Sequence, residues 1–322
     1  MTWSKIAGTG GYLPERIMTN REMESIVDTT DEWIRERSGI CQRHLAAEDE
    51  MTSDMALAAS IEALKAADVE ASEVDLIIVA TTTPDRVFPS VACMLQRKLG
   101  IGSFPAFDVH AACAGFTFGL DLADRYIRTG GAQCALVIGA EIYSRIIDWT
   151  DRGTCVLFGD GAGAVVLKAG DEQGIISTHA HSDGKFEDLL YVTGGVANGR
   201  EALLQDGAYI RMKGHEVFRK AVATLGSIAR ETLDGNGVDK SELTWLVPHQ
   251  ANLRIITATA KKLGLPMDRV VVTVDRHANT SSASIPLALD TAIRDGRIQR
   301  GDLLLLEAFG AGLTWGSALV RY

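Results

Sequence analysis

The sequence predicts a layered α/β protein, and three observations predict it. Apolar, β-rich runs alternate with segments of helical spacing along the chain. Several runs are continuously apolar rather than alternating, as in strands covered on both faces. The second half of the chain also echoes motifs of the first.

Taken in order, "SDMALAASIEALKAADV" (53–69) reads as a helix opened by Ser53 and Asp54, and "VDLIIVATTT" (74–83) as a buried strand. Residues 116–128 form a helix whose Phe116, Leu120, Ala123 and Ile127 share a face. "CALVIGAEI" (134–142) and "GAVVLKAG" (163–170) are strands, and "EVFRKAVATLGSIARETL" (216–233) is a helix. "TWLVPHQ" (244–250) is a strand, followed by the helix "NLRIITATAKKLG" (252–264), which stops at Gly264. A strand over "RVVVTVD" (269–275), a helix over "SIPLALDTAIRDG" (284–296) and a strand over "DLLLLEAFG" (302–310) complete the series. In the echo, "FGDGAGAVVL" from Phe158 answers "FGAGLTWGSALV" from Phe309, and "AFDVHAACAGF" answers "VTVDRHANTSSAS". That alignment sets Cys113 opposite Asn279 and Thr81 to Thr83 opposite His249. Two similar halves would bring equivalent strand ends to one centre.

Bulk composition narrows the function classes. The 322 residues are 46% hydrophobic and 23% charged, an ordinary globular balance with material for one large or two fused cores. No apolar run approaches the roughly 20 residues that cross a bilayer, so no membrane span is expected. The opening "MTWSKIAGTGG" lacks the apolar core of a signal peptide, which points to a cytoplasmic location. Five cysteines, with no C-x-x-C pair, argue against a disulfide framework and against structural zinc. A net charge of −10 excludes nucleic acid as the expected partner.

Cys113 follows an apolar run and precedes a helix, between Ala112 and Ala114 with Gly115 behind. Unpaired N–H groups and the positive dipole end at such a helix start favour a thiolate, and small neighbours leave room for a substrate. The alternative is a buried packing cysteine, the reading adopted for Cys41, Cys93, Cys134 and Cys155. His249 lies just past an apolar strand in "WLVPHQANLRI", and Asn279 occupies the same kind of turn in "DRHANTSSAS". A thiol, an imidazole and a carboxamide at three strand ends make a nucleophile with two hydrogen-bond donors. "GTGG" (8–11) and "GDGAG" (159–163) lack the G-x-G-x-x-G of a dinucleotide loop. His179 and His181 lack an evident third ligand and read as a solvated loop pair, so no metal is expected. His110 reads as a packing or edge residue.

The blocks "DVHAACAGF", "VPHQANLRI", "DRHANTS" and "EAFGAGLTWGSALV" resemble those of β-ketoacyl-acyl-carrier-protein synthase III, a condensing-enzyme family of the thiolase superfamily. "DTTDEWIRERSGI" (28–40) and "DRGTCVLFGDGAGA" (151–164) extend the resemblance over essentially the whole chain. It implies a duplicated five-layer α-β-α-β-α fold, with residues 1–170 carrying the cysteine and 171–322 the histidine and asparagine, and a homodimer. It also implies condensation of acetyl-coenzyme A, or another short acyl primer, with malonyl-acyl-carrier protein. Coenzyme A is then a substrate carrier, and no cofactor is required.

By the same resemblance Cys113 is the acyl acceptor, and His249 and Asn279 promote decarboxylation. The N–H groups of Cys113 and Ala311 form the oxyanion hole. Thr29, Trp33, Arg37, Arg152 and Asn252 contact coenzyme A, with Gly214 and Phe218 along the pantetheine tunnel. Phe88 closes the partner subunit's acyl pocket. The carrier protein is expected on Gln250, Ala251, Asn252, Leu253, Arg254, Lys261 and Lys262; the three cations fall near one helix face. Where the family often has glycine, this chain has Ala278 and Ala311, and a positive φ at either would strain it. Two other functions stay open at this point: a relative in secondary metabolism with a different primer, and a catalytically silent binding scaffold.

Overall fold

The structure, a computed structural model, describes residues 2–199, 201 and 207–322. Among the described residues nine of the thirteen strands form the two large sheets, and the other four pair as two-stranded ribbons. The first sheet holds β1 (Trp3–Tyr12), β2 (Leu76–Ala80), β3 (Ala106–Val109), β4 (Cys134–Glu141) and β5 (Gly161–Gly170), in the order β1-β5-β4-β2-β3. The second holds β6 (Ile175–Ser182), β7 (Trp245–Pro248), β8 (Leu303–Gly310) and β9 (Thr314–Arg321), in the order β7-β8-β9-β6.

Both sheets follow one pairing pattern. β2 runs parallel to β4 as β7 does to β8, and β5 lies antiparallel between β4 and β1 as β9 does between β8 and β6. Among the described residues, the seven helices of eight or more residues are α1 (Asp31–Ser38), α2 (Thr52–Ala67), α3 (Val91–Leu99), α4 (Gly115–Arg128), α5 (Gly214–Gly235), α6 (Leu253–Leu263) and α7 (Ser284–Arg294). α4 and α7 pack against both sheets, α2 and α3 against the outer face of the first, and α5 against the outer face of the second with α6 alongside. The result is the expected five-layer α-β-α-β-α stack.

Sequence patterning explains the layers. In β4, Ala135 and Val137 face the central helices while Leu136, Ile138 and Ala140 face α2, so a continuously apolar strand serves two cores. α2 opens one residue before Ser53, with the Asp54 carboxylate accepting the Met51 N–H at 3.0 Å. Gly264 ends α6 in the left-handed conformation at φ 70°.

Two readings are corrected. Residues 269–275 make a single parallel bridge, Val270 to Leu246, rather than a strand. The Gln250 amide takes the place of the ladder: it donates to the Pro248 and Val271 carbonyls and accepts the Thr273 and Val274 N–H groups, at 2.8–3.1 Å. Tertiary hydrogen bonding overrides the β propensity of "VVVTV" there. His179 and His181 lie on β6, not on a loop, and both approach Glu231 Oε1 from α5, at 3.0 and 2.8 Å.

Candidate active site

The echo between the halves becomes a geometric fact at the starts of α4 and α7. Each is preceded by a one-turn 3₁₀ helix, Ala112–Ala114 and Ser281–Ala283, entered through a left-handed residue: Ala112 at φ 45° and Ser281 at φ 50°. This register sets Cys113 opposite Ser282, not Asn279, while His249 and Thr81 are each the first residue past equivalent strands. Positive φ at non-glycine residues is costly and here clusters at the site.

Cys113, His249 and Asn279 all line one cavity of ≈ 600 Å³. Phe309, Leu157, Phe158 and Val156 wall its inner part, and Met212, Gly214, Val217, Phe218 and Ala221 its side. Glycine is required where β8 ends: a Cβ on Gly310 would lie 2.7 Å from the Cys113 nitrogen. The Thr314 hydroxyl bridges the Ala111 carbonyl (2.8 Å) and the Ala311 carbonyl (3.0 Å), holding the β8–β9 tip against the cysteine turn.

Each polar group is held by a partner. Ser284 Oγ lies 2.5 Å from His249 Nδ1. Asn279 Oδ1 accepts the Ser281 N–H at 2.9 Å, which turns its Nδ2 away from that bond. The Asn279 backbone is pinned to Leu157 and Gly159 at 3.0 Å each. Burial drives the His249 pKa down to about 3, so the imidazole is neutral.

The thiol is the surprise. Cys113 is only 5% exposed, and burial pushes it up to about 12, with the Glu141 carboxylate acting in the same direction. The Ser281 hydroxyl and the cysteine's own N–H pull the other way and lose. The thiolate expected from the helix start is therefore corrected: at rest Cys113 is a thiol, because desolvation outweighs the dipole.

At the cavity mouth the Trp33 ring has the Arg152 guanidinium at 4.9 Å and that of Arg37 at 5.9 Å. Trp33, Arg37, Gly214, Phe218, Ala251, Asn252 and Arg254 all line the cavity. Arg152 stands beside it, bonded at 2.9 Å to the carbonyl of Asp28, next to Thr29, whose buried hydroxyl has no partner. Asn252 caps α6, accepting the Arg254 N–H (2.9 Å), and donates to the Arg37 carbonyl (3.0 Å). Arg254 lies over the Phe218 ring at 5.4 Å.

Other expected contacts are not brought to this mouth. Gln250 is 0% exposed and cannot touch a carrier protein; that assignment is withdrawn. Leu253 packs into the core beside Gly39. Lys261 and Lys262 are both exposed, and Lys262 lies across Gly226 of α5 with its ammonium 3.3 Å from the Val222 carbonyl. Phe88 stands 82% exposed, away from the cavity of its own chain. Ala278 does adopt the feared conformation, φ 58° and ψ −162°, but Ala311 does not; Gly312 takes the positive φ there. Among the described residues no cluster of three metal-ligating side chains occurs, and no helix is long and apolar enough to cross a membrane. Ser281, Ser284 and Glu141 were missed as site residues. The run "NTSSAS" was the signal, since serines crowded at a helix start bond locally.

Comparison with known proteins decides the family. Models described as 3-oxoacyl-[acyl-carrier-protein] synthase III match residues 107–184, and their C-terminal counterpart matches 233–322. A β-ketoacyl-[acyl-carrier-protein] synthase III of Thioalkalivibrio sulfidiphilus is 62% identical over 322 residues, spanning all of both chains. This chain belongs to the β-ketoacyl-acyl-carrier-protein synthase III family. A second synthase III, of Xanthomonas campestris, is 61% identical and covers 99% of this chain and 98% of its own. The crystal structure of a synthase III from Aquifex aeolicus superposes with a TM-score of 0.93 at 48% identity, over 99% of this chain and 100% of that one. The chain is thus a condensing acyltransferase of the thiolase fold, like the synthase III enzymes it matches.

Proposed function

We propose that the protein condenses acetyl-coenzyme A, or another short acyl-coenzyme A, with malonyl-acyl-carrier protein to give acetoacetyl-acyl-carrier protein, the first elongation step of fatty-acid synthesis. The observation that carries the reading is the convergence of Cys113, His249 and Asn279 in one cavity, with the amide and the imidazole each oriented by its own serine.

In the first half-reaction the Cys113 sulfur bonds to the acyl carbon and the carbon–sulfur bond to coenzyme A breaks. The thiol proton ends on the departing coenzyme A sulfur, so no base is consumed. The N–H groups of Cys113 and Ala311 hold the tetrahedral oxyanion, an assignment supported by the close approach at Gly310. Trp33, Arg37 and Arg152 supply stacking and positive charge for the nucleotide, Gly214 and Phe218 flank the pantetheine, and Thr29 and Asn252 complete the mouth.

In the second half-reaction the malonyl carboxylate leaves as carbon dioxide and negative charge gathers on the thioester oxygen. His249 Nε2–H and Asn279 Nδ2–H donate to it in a dry pocket. The carbanion then attacks the acyl carbon and expels the Cys113 sulfur as a thiolate, which takes a proton from solvent to restore the resting thiol. Coenzyme A serves as substrate carrier, without a resident cofactor, in the cytoplasm. Ala251, Arg254 and Lys261 remain as carrier-protein contacts. A homodimer is proposed from Phe88, whose exposed ring would close the neighbouring subunit's acyl pocket; a fully active monomer by light scattering would refute it. Intact-mass analysis after exposure to a panel of acyl-coenzyme A thioesters tests the function. One acyl group on Cys113 is expected, and no adduct with any thioester contradicts the reading.

A further inference from the structure

Glu141 ends β4 with its carboxylate fully buried and no cation bonded to it. Its partners are hydroxyls and one amide, drawn from both halves of the fold. Oε2 accepts from the Thr82 N–H (3.0 Å) and from the hydroxyls of Thr83 (2.8 Å), Thr82 (3.1 Å) and Thr81 (3.3 Å). Oε1 accepts from the hydroxyls of Ser281 (3.1 Å), Ser282 (3.0 Å) and Thr82 (3.2 Å).

Two of the hydroxyls at Oε2 are committed donors. Thr83 Oγ1 already accepts the Ile142 N–H at 2.9 Å, and Thr81 Oγ1 the Thr83 N–H at 3.1 Å, so their protons go to the carboxylate. Together with the Thr82 N–H they form a donor set suited to an ionised carboxylate. Ser281 connects this group to the chemistry. Its N–H orients Asn279 Oδ1, its hydroxyl pulls the Cys113 thiol down, and the same hydroxyl contacts Glu141 and the Tyr143 phenol (2.9 Å).

We infer that Glu141 is a positioning residue of the condensing site, whose buried carboxylate clamps the Asn279–Ser282 turn to the Thr81–Thr83 turn and sets a fixed negative charge beside Cys113. The inference rests on reading Cys113 as the acylated sulfur and Asn279 as a decarboxylation donor. The titratable groups around Cys113 are Glu141 and Tyr143 from the end of β4 and the turn after it, and His249 from the end of β7; the Ser281–Ala283 turn, the start of α4 and the Gly310 end of β8 bring none. Tyr143 is held far above its usual range by burial, and His249 is neutral. Burial also raises Glu141, while the Thr82 N–H and the Thr83, Ser282 and Thr82 hydroxyls pull its carboxyl back toward the ionised form, so the charge acting on the thiol is that of Glu141. It adds to the burial that keeps the resting sulfur protonated, while the clamp aims the asparagine.

Substitution by glutamine fits the donor pattern. The amide oxygen can take the Oε2 position, and the amide N–H groups can face Ser281 and Ser282, since the Ser282 hydroxyl, which divides its one proton between Glu141 Oε1 (3.0 Å) and the Ala80 carbonyl (2.8 Å), can give it wholly to the carbonyl. The test is the pH dependence of Cys113 alkylation by iodoacetamide, read by peptide mass spectrometry on the full-length protein. Glu141→Gln is expected to move the midpoint down by about one pH unit, which is about tenfold faster alkylation below it. Ser281→Ala, which removes the hydroxyl that pulls the thiol down, is expected to move it up. A purely structural loosening would drive both variants the same way, and that outcome, or no shift in Glu141→Gln, overturns the inference. If Glu141→Gln does not fold, Ser281→Ala decides: a midpoint that stays or falls overturns it. Carbon dioxide release adds a second readout, expected to drop at least tenfold in Glu141→Ala and to be largely rescued in Glu141→Gln. Equal rates in Glu141→Ala and parent also overturn the inference. Parent protein that alkylates but is never acylated instead overturns the functional reading, and the alkylation shifts still judge Glu141.

Discussion

Ser284 Oγ lies 2.5 Å from His249 Nδ1 and accepts the Gln250 N–H at 3.1 Å. Among the described residues Nδ1 is the only acceptor in reach of the serine's one proton, so the hydroxyl donates to Nδ1 and the imidazole carries its own proton on Nε2. The tautomer needed for donation to the malonyl thioester is thus set by a residue on α7.

Ser284→Ala should release that tautomer. Carbon dioxide release from malonyl-carrier protein is expected to fall about tenfold, the scale of one buried hydrogen bond. Acylation of Cys113 should change less than twofold. Separate radiolabel assays of the two half-reactions check this, and an equal fall in both would contradict the assignment of the tautomer to Ser284.

Charge on Arg254 at the cavity mouth and on exposed Lys261 further along α6 should steer the acidic carrier. Arg254→Glu with Lys261→Glu is expected to raise KM for malonyl-carrier protein about tenfold or more at low salt, with kcat little changed. The effect should shrink as ionic strength rises, because exposed charges are screened over about 10 Å at 0.1 M. Lys262→Glu should matter less, since that ammonium is turned toward Val222.

Ala278 offers a stability test. It is fully buried at φ 58°, where an L side chain costs about 1–3 kcal/mol. Glycine relieves that strain but loses a buried methyl and adds chain entropy, about 1 kcal/mol each. Ala278→Gly is therefore expected within about 1 kcal/mol of the parent, on either side. Ala288→Gly, in the buried interior of α7 with nothing to relieve, should cost about 1–2 kcal/mol. Urea unfolding compares the two, and a larger loss at Ala278 than at Ala288 would contradict the strain.

Two buried groups give opposite pH signatures. His277 is held down to about 4, burial being the main cause, so below its unfolded value of about 6.5 the unfolded chain binds a proton that the folded one refuses. His277→Leu should gain on the parent by up to about 1.4 kcal/mol per unit as pH falls from 6.5 toward 4. Glu307 has no hydrogen-bond partner for either oxygen, and burial raises it to about 8. Its neutral folded form is disfavoured as pH rises from about 4.5 to 8, where the unfolded chain ionises. Glu307→Gln should gain on the parent over that window. Denaturant titrations at several pH values measure both differences, and slopes of the reverse sign would contradict the burial.

Much of the fold was legible because its signals are local or periodic. The apolar runs of β4 and β8 and the faces of α4 and α6 declare themselves within one segment. Residues 269–275 misled because the competitor for their backbone bonds is a side chain, Gln250, on another element. At the site, Cys113, His249 and Asn279 stood out as reactive types at strand ends, and their family blocks named them. The serines and Glu141 did not, because their role depends on contacts across 35 to more than 130 positions. The protonation of Cys113 was misread for a related reason: a helix start is visible in sequence, whereas burial to 5% is a property of the packed site.

The division of labour within the cavity is the central claim, and the most direct measurement is the two half-reactions of Asn279→Ala. Its carboxamide is held by Ser281 and is proposed to donate where malonyl charge develops, and the acyl-transfer oxyanion is assigned to backbone N–H groups. Acetyl transfer to Cys113 should therefore persist, while carbon dioxide release from malonyl-carrier protein falls by about a hundred- to a thousandfold. His249→Ala should behave alike, and Cys113→Ser should lose acetylation. If Asn279→Ala abolishes acetyl transfer as completely as Cys113→Ser does, the account is contradicted.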